Sequence, residues 1–296
     1  MLKFGIIGYP LEHSLSPVMQ NAALQYLNIN GEYKAYEIKE EELKETVKRL
    51  INDGLKGFNV TIPHKIKIIP LLDELTDIAK QVGAVNTVTI NNGKTIGDNT
   101  DVIGFWEATS PDIRNNLKGK DVSILGCGGS AYAVCTALIL NNAKNIKIYG
   151  RNKNKLEGFK KHFVKTPQCG VSTTHIEINL LNNIDLSNAS MLVNTTPVGM
   201  HPDVNNSLIA KNILEKLPQD AIVYDIIYNP PETKLLKDAK SLDKITINGI
   251  EMLIRQGAAS LAKWIEIKEP PLGVMRLAIG LTQSSQGMAP FAPFPP

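Results

Sequence analysis

The sequence predicts an α/β protein with two domains, each built on a mostly parallel sheet between layers of helices. The chain has 296 residues, which suits two domains of roughly 100 to 200 residues each. Short apolar runs alternate with segments of helical periodicity, and this alternation is typical of parallel sheets covered on both faces. A glycine-rich turn between a buried strand and a helix lies near the middle of the chain, within residues 122–140.

The first hundred residues supply the elements of one predicted sheet. Ser16-Pro17 predicts a helix that runs to about Leu27, because serine caps helices and proline fits their first turn. A second helix is predicted over Glu40–Ile51 from apolar residues at helical spacing. The predicted strands are Lys3–Ile7, Tyr33–Ile38, Gly57–Thr61 and Val85–Ile90, which pairs with Thr95-Ile96 across Asn92-Gly93.

The second half resumes the alternation after a polar segment at residues 110–120, which marks a boundary between domains. Strands are predicted at residues 122–125, Ile146–Tyr149, Met191–Asn194, Ile222–Ile226 and Ile245–Ile247. Helices are predicted at Gly129–Leu140, Lys155–Phe163, Met252–Ile265 and Gly273–Leu281. The tail, residues 283–296, carries four prolines in its last seven positions and is predicted to be disordered.

Composition argues against several classes of protein. No apolar run approaches the roughly 20 residues that span a bilayer, and Met1–Lys3 leads into a strand instead of a signal peptide. The net charge of +3 is small and the lysines are scattered, which gives no footprint for nucleic acid or membrane. Cys127, Cys135 and Cys169 lack metal-ligand spacing. We expect a cytoplasmic protein with reduced thiols and no metal site.

The glycine-rich turn predicts a dinucleotide-binding site of the Rossmann type. Gly126 and Gly128 lack the Cβ that would block a tight turn and the close approach of a pyrophosphate, and Ala131 lets the helix pack on the strand. The free N–H groups at the helix start, around Gly129 and Ser130, favour phosphate. An ordinary glycine turn is the alternative interpretation of this short motif.

Polar residues in the first half of the chain lie where ligands bind in open α/β folds. Ser14 and Ser16 precede a helix, where hydroxyls and the helix dipole suit a carboxylate, although a simple capping serine is the alternative. Residues 59–65 end a strand and are expected to turn into a helix, which places Lys65 at the carboxyl edge of the sheet. Asp98 and Asp101 compete as its carboxylate partner, and either could instead cap a helix.

A set of motifs, in order from Gly8 to about Trp264, resembles the shikimate dehydrogenase family. They are Ser14-Leu15-Ser16-Pro17, Asn59-Val60-Thr61-Ile62-Pro63-His64-Lys65, Gly83-Ala84-Val85-Asn86-Thr87, Asn99-Thr100-Asp101, Asn194-Thr195-Thr196-Pro197-Val198-Gly199-Met200, Asp225-Ile226-Ile227-Tyr228-Asn229-Pro230 and Gln256-Gly257-Ala258. The resemblance implies reversible reduction of 3-dehydroshikimate to shikimate with NADPH, a step of aromatic amino-acid biosynthesis that leads to chorismate.

The resemblance also implies a role for each matching residue. Lys65 and Asp101 match the catalytic pair, and a lysine there can supply a proton and positive charge to the alkoxide that forms during reduction. Which of the two transfers the proton is left open. The implied substrate-binding residues are Ser14 and Ser16 for the carboxylate, Thr61, Asn86, Asp101 and Gln256 for the ring hydroxyls, and Tyr228 nearby.

The cofactor is predicted to be NADP. NAD sites usually carry an acid about 20 residues beyond the glycine turn, whereas the segment from Arg151 has no acid before Glu157. Arg151 can bond a 2′-phosphate in forked fashion, with Lys155 or Lys153 as a second charge, and a surface arginine at a strand end is the alternative. The implied cofactor-binding residues are Gly126, Gly128, Gly129, Ser130, Ala131, Arg151, Asn152, Lys155, Thr195, Thr196, Pro197, Met200 and Gly249.

The resemblance implies a discontinuous substrate domain, residues 1–104 and 245–282, and an NADP-binding domain, residues 105–244, with the active site in the cleft between them. Gln20, Cys127 and Glu251 depart from the residues common in the family at their positions. Three alternatives stay open: a quinate/shikimate dehydrogenase that uses NAD, a catalytically silent regulatory module, and a methylenetetrahydrofolate dehydrogenase. The oligomeric state is also open, with a homodimer among the possibilities.

Overall fold

The computed structural model describes residues 1–165 and 174–281, and the described residues divide into two compact units. The first unit comprises Met1–Gly104 together with the segment that begins at Leu253, and the second comprises Phe105–Met252. The predicted boundary at residue 245 differs from this division. Ile245–Ile247 pairs with Ile222–Asp225 in the second unit's sheet, so the chain leaves that unit later. Cys169 and the tail predicted to be disordered, residues 283–296, lie outside the described residues.

The first unit is built on a mixed, mostly parallel sheet. Its elements in this part of the chain are β1 Leu2–Gly8, α1 Ser16–Tyr26, β2 Gly31–Glu37, α2 Leu43–Asn52, β3 Gly57–Val60, β4 Glu74–Leu75, α3 Asp77–Val82, β5 Thr87–Asn91, β6 Lys94–Asp98 and the start of α4 Asp101–Glu107. The sheet order is β2-β1-β3-β5-β6-β4 among the described strands. Strand β5 runs antiparallel to both neighbours. Left-handed Asn92 and Gly93 close the predicted hairpin between β5 and β6.

Two local predictions in this unit are wrong. Helix α1 begins at Ser16 itself with Leu15 at the capping position, and within the described chain no side chain caps it. The Ser14 hydroxyl instead accepts a hydrogen bond from the Ser16 N–H at 3.4 Å. The segment after β3 forms successive turns over residues 62–68 in place of a helix. Pro70 has no N–H to donate and would crowd the preceding turn, so an α-helix that began here could not continue past it.

The second unit has a doubly wound parallel sheet, as predicted for the Rossmann type. Its elements are α5 Pro111–Leu117, β7 Asp121–Leu125, α6 Gly129–Leu140, β8 Asn145–Gly150, α7 Lys153–Lys165, β9 His175–Leu180, β10 Met191–Asn194, α8 Lys211–Leu214, β11 Ile222–Asp225, α9 Lys234–Lys240 and β12 Ile245–Ile247. The order β12-β11-β10-β7-β8-β9 reverses direction between β7 and β10. Ligands of such sheets bind at this switch point, beyond the carboxyl ends of the strands.

Helix α10 Ile250–Ile265, followed by α11 Leu272–Ala278, returns the chain to the first unit. Trp264 of α10 stacks on Phe4 with ring centroids 5.2 Å apart and donates its indole N–H to the Val88 carbonyl at 3.0 Å. A Cβ on Gly57 would lie 2.2 Å from the indole nitrogen, so this glycine makes room for the ring. The helix is thereby fixed on the sheet that carries Asn86.

Within the two described ranges, no helix combines the length and apolar character needed to cross a bilayer.

Candidate active site

Lys65 and Asp101 form a buried ion pair in the first unit. Lys65 lies in the turns after β3, and Asp101 is the first residue of α4. Lys65 Nζ is 2.5 Å from Asp101 Oδ2, and the two side chains retain 11% and 5% of their exposure. Because little water reaches them, their attraction is screened less than that of a surface pair. The arrangement therefore holds an ammonium group with one fixed orientation.

Asn86 holds the second oxygen of the Asp101 carboxylate. Its Nδ2 donates to Asp101 Oδ1 at 2.8 Å and lies 3.3 Å from Gln256 Oε1, while its Oδ1 accepts the N–H of Thr100 at 2.7 Å. The main-chain donor identifies which end of the amide is oxygen, since an N–H requires an acceptor. The predicted catalytic pair, Lys65 and Asp101, is thus brought together with two of the predicted substrate-binding residues, Asn86 and Gln256.

Asp98, the other candidate partner of Lys65, is engaged elsewhere. Its Oδ1 accepts hydrogen bonds from the Thr76 hydroxyl at 2.8 Å and the Asn99 N–H at 2.7 Å. Its Oδ2 pairs with Lys263 of α10 at 2.7 Å. These contacts give Asp98 a structural part in joining α10 to the sheet, and they leave Asp101 as the acid beside Lys65.

Thr61, Ser14 and Ser16 lie at the carboxyl edge of the same sheet. Thr61 directly follows β3, and its N–H donates to the carbonyl of Ile7 near the end of β1 at 2.9 Å. The loop with the two serines starts at Gly8, where a Cβ would lie 2.3 Å from Thr61 Cγ2. Ser16 is buried and Ser14 is half-buried. The close approach of the two strand ends places Thr61 beside the start of the loop that carries the two serines.

The glycine turn of the second unit leaves room for a phosphate. Gly126 has φ +108°, and a Cβ there would lie 2.7 Å from Thr195 Oγ1. At Gly128 a Cβ would meet no described protein atom within 4 Å. Gly128 precedes α6, and in the described structure no side chain caps that helix. Uncapped N–H groups beside open space fit a pyrophosphate.

In the segment after β8, the side chains of Asn152, Lys153 and Lys155 have different contacts. Asn152 Oδ1 accepts the N–H of Lys155 at 3.0 Å and so caps α7. Lys153 pairs with Glu157 at 3.9 Å. Burial raises the pKa of the Cys127 thiol, and the charge of Lys155 opposes that rise. The Lys155 charge therefore acts on a residue of the glycine turn. Arg151, four residues before Lys155, is exposed.

Two threonine hydroxyls of the loop after β10 donate hydrogen bonds to the ends of strands β7 and β10. Thr195 Oγ1 donates to the Leu125 carbonyl at 2.7 Å, and Thr196 Oγ1 donates to Asn194 Oδ1 at 2.8 Å. Pro197 is exposed and Met200 is half-buried. Because β7 and β10 are neighbours, this loop lies beside the glycine turn at the switch point.

Gly249 and Tyr228 occupy the same unit as the glycine turn. A Cβ on Gly249 would lie 1.9 Å from the Ile226 carbonyl oxygen, and its N–H donates to the Ile227 carbonyl at 3.0 Å. Close backbone packing therefore explains this glycine by itself. Tyr228 is half-buried in the segment that follows β11.

Asp225 is a buried acid that anchors the loop after β10. It accepts hydrogen bonds from Asn194 Nδ2 at 3.1 Å, from the Ile227 N–H at 3.1 Å and from the Thr233 hydroxyl at 2.7 Å. Burial raises its pKa to about 6, although these three donors act in the opposite direction. No local sequence pattern signals that Asp225 is a buried anchor.

Comparisons with known proteins agree with this architecture. Residues 6–88 match the family model described as shikimate dehydrogenase substrate binding domain. An NADP(+) shikimate dehydrogenase of Crocosphaera subtropica is 43% identical over 280 residues, which cover 95% of each chain.

Two solved structures share the fold over both units. The shikimate 5-dehydrogenase of Thermus thermophilus, in complex with NADP(H) and shikimate, is 30% identical, with a TM-score of 0.79 and coverage of 94% of this chain and 98% of that one. A ligand-free 5-ketofructose reductase of Gluconobacter is 29% identical, with a TM-score of 0.77 and coverage of 94% and 97%. With these relatives matched over almost their full length, the chain belongs to the shikimate dehydrogenase family.

Proposed function

We propose that the protein catalyses the reversible, NADP-dependent interconversion of 3-dehydroshikimate and shikimate in aromatic amino-acid biosynthesis. The observation that carries the proposal is the buried Lys65–Asp101 pair with Asn86 and Gln256 beside it. It lies in the unit that matches the substrate-binding family model. The NADP(+) shikimate dehydrogenases among the relatives support the same reaction.

Lys65 acts on the oxygen of the reacting carbon. When bound, the reduced cofactor supplies a hydride to the carbonyl carbon of 3-dehydroshikimate. The oxygen of that carbon then gains negative charge, which the Lys65 ammonium stabilises as donor and cation. Asp101 orients Nζ through Oδ2, and Asn86 fixes Asp101 through Oδ1. In the forward direction the pair supplies a proton to this oxygen, and in the reverse direction it accepts the proton of the shikimate hydroxyl as the hydride leaves the carbon, so both directions use the same groups.

The substrate is held by polar groups at the carboxyl edge of the first sheet. Ser14 and Ser16 bind its carboxylate through their hydroxyls. Further hydroxyl groups of the ring contact the remaining polar residues, which are Thr61, Asn86, Asp101 and Gln256. The buried hydrogen bonds among the last three support this assignment, because they fix donors and acceptors in advance of binding.

The second unit binds NADP at its switch point. The pyrophosphate lies against the glycine turn at Gly126–Ala131, whose open space and uncapped N–H groups suit it. Arg151 bonds the 2′-phosphate, and Lys155 adds a second charge. Asn152 lies next to Arg151 in the chain and caps α7 at this end of the site. Thr195, Thr196, Pro197 and Met200 border the nicotinamide end, with Tyr228 and Gly249 nearby.

A cofactor-absorbance assay tests the proposal. Purified protein is offered shikimate or quinate, each with NADP or NAD, and 5-ketofructose with NADPH serves as the substrate of the reductase relative. We expect turnover with shikimate and NADP at the highest kcat/KM. A preference for quinate with NAD would favour the broader dehydrogenase, and no turnover of shikimate under any condition would reject the proposed reaction.

A further inference from the structure

A buried amide outside the proposed set of site residues links the sheet to helix α10. Asn59 of β3 is 4% exposed, and all its polar atoms are used within the protein. The Tyr33 hydroxyl lies 2.8 Å from Asn59 Oδ1. Nδ2 lies 2.8 Å from Ser260 Oγ and 3.1 Å from the Asn86 carbonyl. Because the Asn86 carbonyl can only accept, Nδ2 is the donor and the amide has one orientation.

Ser260 carries this link to the residue that faces the site. It lies four residues after Gln256 on the same face of α10, and its hydroxyl donates to the Gln256 carbonyl at 2.9 Å. Ser260 Oγ also lies 2.8 Å from Thr87 Oγ1 and 3.1 Å from Thr100 Oγ1. Hydrogen bonds therefore connect the helical turn that carries Gln256 to the start of β5 and to the segment that follows β6.

We propose that Asn59 and Ser260 are positioning residues that set the separation between Asn86 and Gln256. Asn59 holds the main chain of Asn86 and the helix of Gln256 at once. Neither residue needs to touch the substrate, since both are buried and hydrogen-bonded within the unit. The effect on shikimate binding rests on the proposed function, whereas the effect on the Asn86–Gln256 distance does not.

The loss of this link is expected to weaken substrate binding more than cofactor binding. Without the Ser260 hydroxyl, Asn59 loses its shortest acceptor and the turn of α10 loses a fixed point on the sheet. Gln256 then samples positions farther from Asn86 than the 3.3 Å of the intact site. Contacts to ring hydroxyls are made both before and during the reaction, so their loss raises KM more than it lowers kcat.

Ser260→Ala and Trp264→Phe form a matched pair that separates positioning from general stability. Each removes hydrogen bonding between α10 and the sheet. The Ser260 hydroxyl contacts Asn59 and two threonines one turn from Gln256, whereas Trp264 lies two turns from Gln256 and bonds Val88. For S260A we expect the KM for shikimate to rise at least about fivefold, with the KM for NADP changed less than about twofold. For W264F we expect a lower Tm with both KM values within about twofold of the parent.

Two further measurements make the proposal independent of the reaction. Asn59→Ala removes the shared amide, so adding S260A to it is expected to change the shikimate KM by less than about twofold. Crystal structures of S260A and W264F report the distance from Asn86 Nδ2 to Gln256 Oε1, which we expect to lengthen in S260A alone. If N59A does not fold, the matched pair still decides.

An unchanged Asn86–Gln256 distance in S260A would overturn the positioning role, whatever substrate the enzyme uses. An equal effect of W264F on the shikimate KM would do the same, because the link would then be merely structural. Failure of the parent protein to turn over shikimate would reject the proposed function instead and would leave the crystallographic comparison valid.

Discussion

The Lys65 ammonium is held by the Asp101 carboxylate in a pair that water hardly reaches, with 2.5 Å between Nζ and Oδ2. The charge of a surface lysine is solvated by water, so an ion pair with one neighbouring carboxylate adds little stability. Lys65 instead has a fixed direction, and the carboxylate that fixes it is itself fixed by Asn86. This geometry leads to the first prediction.

Lys65→Ala is expected to lower kcat by about 100-fold or more, with little change in the KM for shikimate. The lysine interacts most strongly when negative charge forms on the substrate oxygen, so its loss affects the transition state more than binding. Steady-state kinetics provide the measurement. Lys67→Ala is the matched control, because Lys67 lies two residues away and pairs with exposed Glu40. A K65A enzyme with the parent kcat would contradict the proposed role.

Arg151→Ala is expected to raise the KM for NADP about tenfold or more and to leave the KM for NAD almost unchanged. NAD lacks the 2′-phosphate that the guanidinium binds. Lys155→Ala should act in the same direction with a smaller effect, since its charge reaches the glycine turn. Lys153→Ala is the control, because Lys153 pairs with Glu157. Equal losses for both cofactors in R151A would reject the 2′-phosphate contact.

Gly126→Ala is expected to lower stability, whereas Gly128→Ala is expected mainly to weaken NADP binding. At Gly126 a Cβ meets Thr195 and φ is +108°, so the substitution should lower the free energy of unfolding by about 2 kcal/mol or more. At Gly128 the added methyl meets no described protein atom within 4 Å. G128A should change stability by about 1 kcal/mol or less while it weakens NADP binding. Denaturant unfolding and calorimetric titration measure the two effects, and tight NADP binding by G128A would place the phosphates elsewhere.

Asp225→Asn is expected to remove a pH dependence of stability. The folded-state pKa is raised from 3.8 to about 6, so the native state binds the extra proton between about pH 4 and 6. The stabilisation from this group is therefore full below pH 4 and is lost as the pH rises through 6, by about 3 kcal/mol in total. The asparagine variant keeps an acceptor for Asn194 but does not titrate.

The difference in unfolding free energy, D225N minus parent, should thus increase from pH 4 to pH 7. Urea unfolding at several pH values measures this difference, in which other titrating groups cancel. Asp73→Asn is a suitable control, since the pKa of Asp73 is lowered by hydrogen bonds from Thr95 instead of being raised by burial. A difference that stays constant over the pH range would show that Asp225 is ionised without cost.

The sequence predicted the parts of the fold that depend on local patterns. The Asn92-Gly93 hairpin, the parallel second sheet and the glycine turn follow from turn chemistry and periodicity, and the structure contains each of them. Local patterns failed where several rules competed. The serine expected to cap α1 does not, and the helix expected after β3 is replaced by turns ahead of Pro70.

Contacts between distant parts of the chain account for what could not be predicted. Local patterns left Asp98 and Asp101 as equal candidates, and only the family resemblance indicated Asp101. One of the contacts that engage Asp98 elsewhere comes from Lys263, which a helix brings from the far end of the chain. The same holds for Asn59, Tyr33 and Ser260, since a lone serine in a helix gives no signal that it meets a buried amide. Long-range contacts of this kind are decided by packing, which periodicity does not encode.

The packing site of the Trp264 indole has a consequence for the order in which the two units fold during protein synthesis. Phe4, Gly57 and Val88 form the place where this indole packs, yet the indole belongs to a segment made after the whole second unit. Until that segment is made, the first hundred residues lack the indole that packs on Phe4, and we expect their core to stay incomplete. We therefore expect the unit encoded in the middle of the gene to reach its final state first, and the unit with the amino terminus to complete its own last.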